Sequence, residues 1–148
     1  MADQIDPTAI SPEQFAEMIS NASDDEIESA IHTVGTEPTL DRVFQGFEER
    51  FQPDKAAGVQ ADVQFIVKDG AEEHPYLVSI TEGSCVTKRA QADDPKTTLT
   101  MDLVPFLKLV TGNAQGVQLF MTGKLKISGD LMFSQRLMTF FETPKAST

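Results

Sequence analysis

The side chains of this 148-residue chain that could do chemistry are few and scattered. A catalytic site needs a nucleophile, a base and a group to orient the base, all within reach of one another. The two histidines are His32, at the end of a helical stretch, and His74, in a hairpin loop after Glu72-Glu73, and neither lies in a motif. Gly83-Ser84-Cys85 lacks the second glycine of a nucleophile elbow. Cys85, in a strand-like segment, reads as a small buried hydrophobe rather than a reactive thiolate. One cysteine and two separated histidines make no zinc constellation, and Asp24-Asp25-Glu26 lacks the alternating ligands and glycine of a calcium loop. Around Gly123-Lys124, Gln118 stands where a phosphate loop needs its first glycine and Leu125 where it needs Ser or Thr. The expectation is therefore no catalytic residue, no metal ligand set and no cofactor, and an activity that rests on apolar surface.

That surface is concentrated between Phe120 and Phe141. Leu125 and Ile127 alternate with Lys124, Lys126 and Ser128, the period of a half-buried strand, and Gly123 and Gly129 bracket it as turn residues. Asp130 stands at an N-cap position. A helix continued from Leu131 at 100° per residue puts Phe133, Leu137, Met138, Phe140 and Phe141 on an arc of roughly 160°, wider than the ~100° stripe that covers one sheet. The surplus needs a second partner.

The elements that must position this stretch are legible upstream. Ser11-Pro12-Glu13-Gln14 and Ser23-Asp24-Asp25-Glu26 are two helix starts, and Gly35 to Pro38 marks a boundary. From Thr39 to before Pro53, Leu40, Val43, Phe44, Phe47 and Phe51 form the apolar face of an amphipathic helix. Alternation over Val59–Val67 and Tyr76–Ile80 predicts a hairpin opened by Asp69-Gly70 and closed near Pro75. Ser84–Arg89, Thr97–Met101 and the Gly-Lys-Leu segment supply three more strands. Asp102 caps a helix carrying Leu103, Phe106, Leu107 and Val110, and Val117–Met121 forms a short one. The class is α+β: five short strands in a largely antiparallel sheet covered by helices. Three regions are expected: a helical preface over 1–38, a main domain over 39–143 and a tail over 144–148.

Ten Phe against one Tyr and no Trp bring apolar area without polar atoms that need partners. The net charge of −11 argues against nucleic acid, which needs a basic face. The charge is uneven: residues 1–60 carry a net −10, 61–100 a net −3 and 101–148 a net +2. The mildly basic end could turn toward an anionic membrane or head group. An acidic, polar opening and the lack of any run of about 18 apolar residues lead to the expectation of a cytoplasmic protein.

Phe120, Gly123, Lys124, Leu125, Gly129, Asp130 and Leu137, in this order and followed by a Leu/Met/Phe-rich helix, resemble the C-terminal signature of the sterol carrier protein 2 family. The resemblance reaches back more weakly to about Leu40. It implies a noncatalytic domain that binds and transfers fatty acids, fatty acyl esters, sterols or phospholipids in an apolar tunnel between the sheet and the C-terminal helices. The implied lining is Phe47, Phe51, Phe106, Val110, Leu119, Phe120, Phe133, Leu137, Met138 and Phe141, with Arg50 and Arg136 as head-group candidates. The alternatives are a protein-interaction or homodimerisation module, and an accessory domain that presents an apolar substrate to a separate enzyme.

Overall fold

Five strands and six helices build the described part of the chain, residues 12–141 of a computed structural model. Three helices come first: α1 (Pro12–Asn21), α2 (Asp24–Val34) and α3 (Thr36–Arg50). The reciprocal Ser23–Glu26 capping box starts α2: the Glu26 amide donates to Ser23 Oγ at 3.2 Å and the Ser23 amide to Glu26 Oε1 at 2.8 Å. Only Gly35, at φ 116°, separates α2 from α3. The third helix thus begins three residues before the sequence reading places it, because Pro38 sits in the first turn, where its missing N–H breaks no bond. The Ser11 cap and the tail after Phe141 lie outside the described residues.

The sheet comprises β1 (Ala61–Asp69), β2 (Glu72–Thr81), β3 (Ser84–Lys88), β4 (Thr97–Asp102) and β5 (Leu125–Gly129), in the order β3-β2-β1-β4-β5. Only the β1–β4 pair is parallel. The first hairpin is tighter than expected: Asp69 pairs with Glu72 across a Gly70-Ala71 turn, and Pro75 pairs with Ile66 inside β2. Proline is tolerated there because β3 pairs only with Leu77–Thr81, leaving Pro75 beyond its reach.

Alternation gives the sheet one greasy face. Val63, Phe65 and Val67, with Tyr76, Val78, Ile80, Leu99, Met101 and Leu125, are buried under the helices. Gln64 points the other way and is 4% exposed. Its amide donates to Tyr76 O at 3.1 Å and Ala90 O at 2.9 Å and accepts from the Ala92 amide at 2.8 Å. One side chain so pins the crossover that carries the chain from β3 to β4, and its own burial is compensated.

Between β4 and β5 run α4 (Leu103–Val110) and α5 (Gly116–Met121), and after β5 comes α6 (Leu131–Leu137). The N-terminal helices rest on α4, with Lys108 Nζ 2.6 Å from Asp24 Oδ1 and Asn113 Nδ2 donating to Ala16 O at 3.1 Å. Asp130 caps α6 by accepting from the Phe133 amide at 2.9 Å. The last helix departs from expectation. It tightens into a 3-10 turn over Met138–Phe140, and Phe141 leaves it to bridge Phe51. The Gln52 amide donates to Phe140 O at 2.7 Å, fastening the 3-10 turn to the segment just after α3. The single 160° arc does not form, because its last residues leave helical geometry to reach α3.

Candidate functional site

The wall of the candidate site begins with a cross-strand row. Phe65 pairs with Leu99 and Leu99 with Ile127, so three side chains from β1, β4 and β5 stand in line on the helix-facing side. Leu125 stands one pleat along and is buried. Opposite are Leu109 from α4, Gly116, Val117 and Phe120 from α5, and Leu131, Ser134, Gln135 and Leu137 from α6. Together they enclose a cavity of about 160 Å³. Gly116 leaves room for it: a β-carbon there would sit 3.7 Å from the Leu109 side chain and narrow the space between them.

Two polar groups face this cavity, and they differ. Ser134 Oγ lies 2.6 Å from Thr97 Oγ1 and donates to Asp130 O at 3.0 Å, so its capacity is spent on holding α6 against β4. Gln135 makes no hydrogen bond within the described residues, which leaves its amide to whatever enters. At the mouth the apolar surface continues outward. Val117, Phe120 and Leu131 are wall residues that also reach solvent, and Met121 and Met132 beside them are 78% and 77% exposed. Lys124 stands in the turn between α5 and β5, and Lys126 lies on β5.

Of the side chains implied as lining by the resemblance, Phe120 and Leu137 stand on the cavity wall. Phe47, Phe106 and Phe141 lie in an aromatic cluster with Phe44 and Phe65, with ring centres 5.2 Å apart for Phe44–Phe106 and 5.0 Å for Phe47–Phe141. Phe51 packs on the edge of that cluster at 5.7 Å from Phe141. Phe133 lies against Phe140 at 5.9 Å with Lys96 Nζ over its ring. Val110 and Leu119 are buried away from the cavity, and the Met138 side chain lies outside what the structure describes. The Arg136 guanidinium sits over the Phe140 ring at 5.6 Å. Arg50 packs its guanidinium beside Gly46 on α3. Neither arginine reaches the cavity. The sheet residues Phe65, Leu99, Leu125 and Ile127 are wall residues that the motif did not single out. Their signal was present as strand alternation, which marks burial without saying what lies opposite.

The groups with chemical potential stay apart from this site. Burial pushes the Cys85 thiol up to about 12, so it is no thiolate at neutral pH. Tyr76 OH donates to Asp41 Oδ1 at 2.6 Å, and Arg89 closes on the same carboxylate, which holds Asp41 below the usual carboxylate range. This trio joins α3 to β2 and the crossover. No described helix is long and apolar enough to cross a membrane.

Comparison with known proteins places this architecture. Sterol carrier protein 2 from Yarrowia lipolytica, in its apo form, superposes with a TM-score of 0.58 at 21% identity, covering 67% of this chain and 86% of that one. The palmitated form of sterol carrier protein 2-like 2 from Aedes aegypti gives 0.57 at 16% identity, over 71% and 96%. A stereoselective inverting sec-alkylsulfatase from Pseudomonas sp. gives 0.62 at 16% identity, over 74% of this chain but only 17% of its own length. The chain thus spans about a sixth of that enzyme. At these identities the likeness concerns the fold. The profile of the SCP-2 sterol transfer family matches residues 40–142, and the chain belongs to that family.

Proposed function

We propose that this protein binds single lipid molecules, with the acyl or sterol body in the cavity between β1-β4-β5 and α4-α5-α6, and passes them to and from membranes without catalysis. The observation that carries this reading is an apolar cavity whose rim, Val117, Phe120 and Leu131, continues into exposed Met121 and Met132. Burying an acyl chain contributes about 0.8 kcal/mol per methylene. A dozen methylenes therefore give roughly 10 kcal/mol before ordering and association costs. Because this term has no direction, selectivity among fatty acids, acyl esters, sterols and phospholipids is loose.

The volume sets a condition. About 160 Å³ is near the ~150 Å³ that admits one benzene ring and below the ~300–1,000 Å³ of drug-sized pockets. A long chain enters only by moving a wall. The movable wall is α6 with its 3-10 extension: the strands are fixed by ladders, whereas this segment is held by the Ser134–Thr97 contact, the Gln52–Phe140 hydrogen bond and the Phe51–Phe141 bridge. Gln135 is the polar group best placed to meet a head group. The exposed rim, on a stretch whose net charge is mildly positive, suits an approach to an anionic membrane. Within a preface over 1–38, α1 and α2 brace α4, and the main domain spans 39–143.

Native mass spectrometry of the freshly purified protein, followed by addition of palmitate, tests this reading. Adducts of one acyl lipid per chain are expected. A clean apo mass with no palmitate uptake overturns it. A second reading, an accessory domain that presents an apolar substrate to an enzyme, is favoured by the alkylsulfatase match. It keeps the same cavity and differs in the partner, so vesicle-to-vesicle transfer of bound palmitate separates the two: a carrier accelerates transfer and a dedicated presenter does not.

A further inference from the structure

Away from the cavity, at the tip of the β1–β2 hairpin, side chains of the hairpin meet others from α2 and α3. Asp69 ends β1, Glu72 and His74 begin β2, and His32 from α2 and Glu37 from α3 reach the same place. His32 Nε2 lies 2.8 Å from Asp69 Oδ1, and Thr36 Oγ1 donates to Asp69 Oδ2 at 2.7 Å. Asp69 is therefore a fixed carboxylate, 11% exposed at its side chain. His74 is equally enclosed, with its side chain 10% exposed, and its Nε2 is buried with no hydrogen-bond partner. A buried polar nitrogen left unmatched is costly and calls for an explanation.

The geometry points to a divalent transition-metal site of the zinc class, formed by His74 Nε2 with the carboxylates of Asp69 and Glu72. One ligand atom from each of the three lies within 4.8 Å of the others. His74 Nε2 and Glu72 Oε1 are 3.6 Å apart. A tetrahedral ion with bonds of about 2.0–2.1 Å has ligand–ligand edges of roughly 3.4 Å, so the His74–Glu72 pair needs only a small inward movement and the other edges close by at most about 1.4 Å. One imidazole and two carboxylates are a donor set that such ions accept, with water completing the shell. The surroundings support the ligands. His74 Nδ1 faces Glu37 Oε2 at 4.0 Å, a carboxylate that would have to close by about 1 Å to hold the ring of a metal-bound histidine, and His32 and Thr36 hold Asp69 in place. Glu28, His32 and Asp69 form an adjacent triad that shares Asp69. There, however, His32 already has its partner, whereas His74 Nε2 has none. A bound ion would cross-link β1 and β2 at the hairpin tip.

The test is isothermal titration of zinc chloride into the full chain, purified without a histidine tag, with visible absorption of the cobalt(II) form as a second readout. One ion per chain is expected, with the visible bands of a low-coordinate cobalt site and a higher melting temperature. His74→Gln and Glu72→Gln should each weaken binding at least tenfold, and Glu28→Gln should change it less than twofold. Glu72 is mostly exposed, so its variant keeps the test valid should His74→Gln fail to fold. Absence of stoichiometric binding overturns the proposal. So does binding that survives Glu72→Gln unchanged, or that is lost in Glu28→Gln alone.

Discussion

Leu137 is where the cavity and the core can be told apart by experiment. It is 1% exposed, closes α6 and forms part of the cavity wall. Leu137→Ala removes three carbons' worth of apolar burial, about 2.4 kcal/mol of transfer free energy at ~0.8 kcal/mol each. The space left behind joins a cavity that already exists, so the wall has little on its far side to collapse onto, and a further 1–2 kcal/mol or so is lost. The expected cost is about 3–4 kcal/mol in the lipid-free protein. With a urea dependence of roughly 2 kcal/mol per molar, the unfolding midpoint falls by about 1.5–2 M. With palmitate bound, the chain fills the vacated volume and restores part of the lost contact, so the deficit shrinks to about half. Leu40→Ala is the control. Leu40 is fully buried but not on the cavity wall, and its deficit should be the same with and without lipid. Urea unfolding followed by far-ultraviolet circular dichroism, with and without equimolar palmitate, measures both. Equal palmitate effects on the two variants would refute the assignment of this cavity as the lipid site.

Two other perturbations probe the frame around it. Asp41 is held below the usual carboxylate range first by its hydrogen bond to Arg89; burial opposes this, and the hydrogen bond from Tyr76 and the Arg89 charge add to the lowering. A depressed carboxylate contributes stability that is complete above its unfolded value near 3.9 and is lost as pH falls through the folded value. The melting-temperature gap between the natural chain and Asp41→Asn should thus be full at pH 7 and close progressively below about pH 4; a gap independent of pH refutes the assignment. Gly129 ends β5 at φ 99°, and a β-carbon there would lie 2.6 Å from Lys96 O and 3.0 Å from Thr97 Cα. Gly129→Ala should therefore cost at least about 2 kcal/mol, because the backbone itself is in the way, whereas Gly116→Ala, which meets Leu109 at 3.7 Å, should change thermal stability far less.

Local signals carried the elements well, because caps and alternation are properties of adjacent residues. Asp130 caps α6, Ser23 caps α2, and Gly123 and Gly129 frame β5 at positive φ. The misplacements occur where a tertiary contact outbids a local period. The arc from Phe133 to Phe141 assumed one continuous helix, but Phe141 gains more by reaching Phe47 and Phe51 than by a further helical turn. The cavity was harder to read for a different reason. Val63 and Leu99 show the same alternation and are both buried, yet only Leu99 faces the cavity. Periodicity reports that a side chain leaves water, and says nothing about whether it meets another side chain or a space kept open by Gly116. The phenylalanines show the converse: the richest aromatic signal, Phe44, Phe47 and Phe106, packs with Phe65 into a filled cluster. That cluster backs the cavity through Phe65, which belongs to both. On the proposed reading, this filled packing leaves α6, rather than the sheet, as the wall that a lipid would displace.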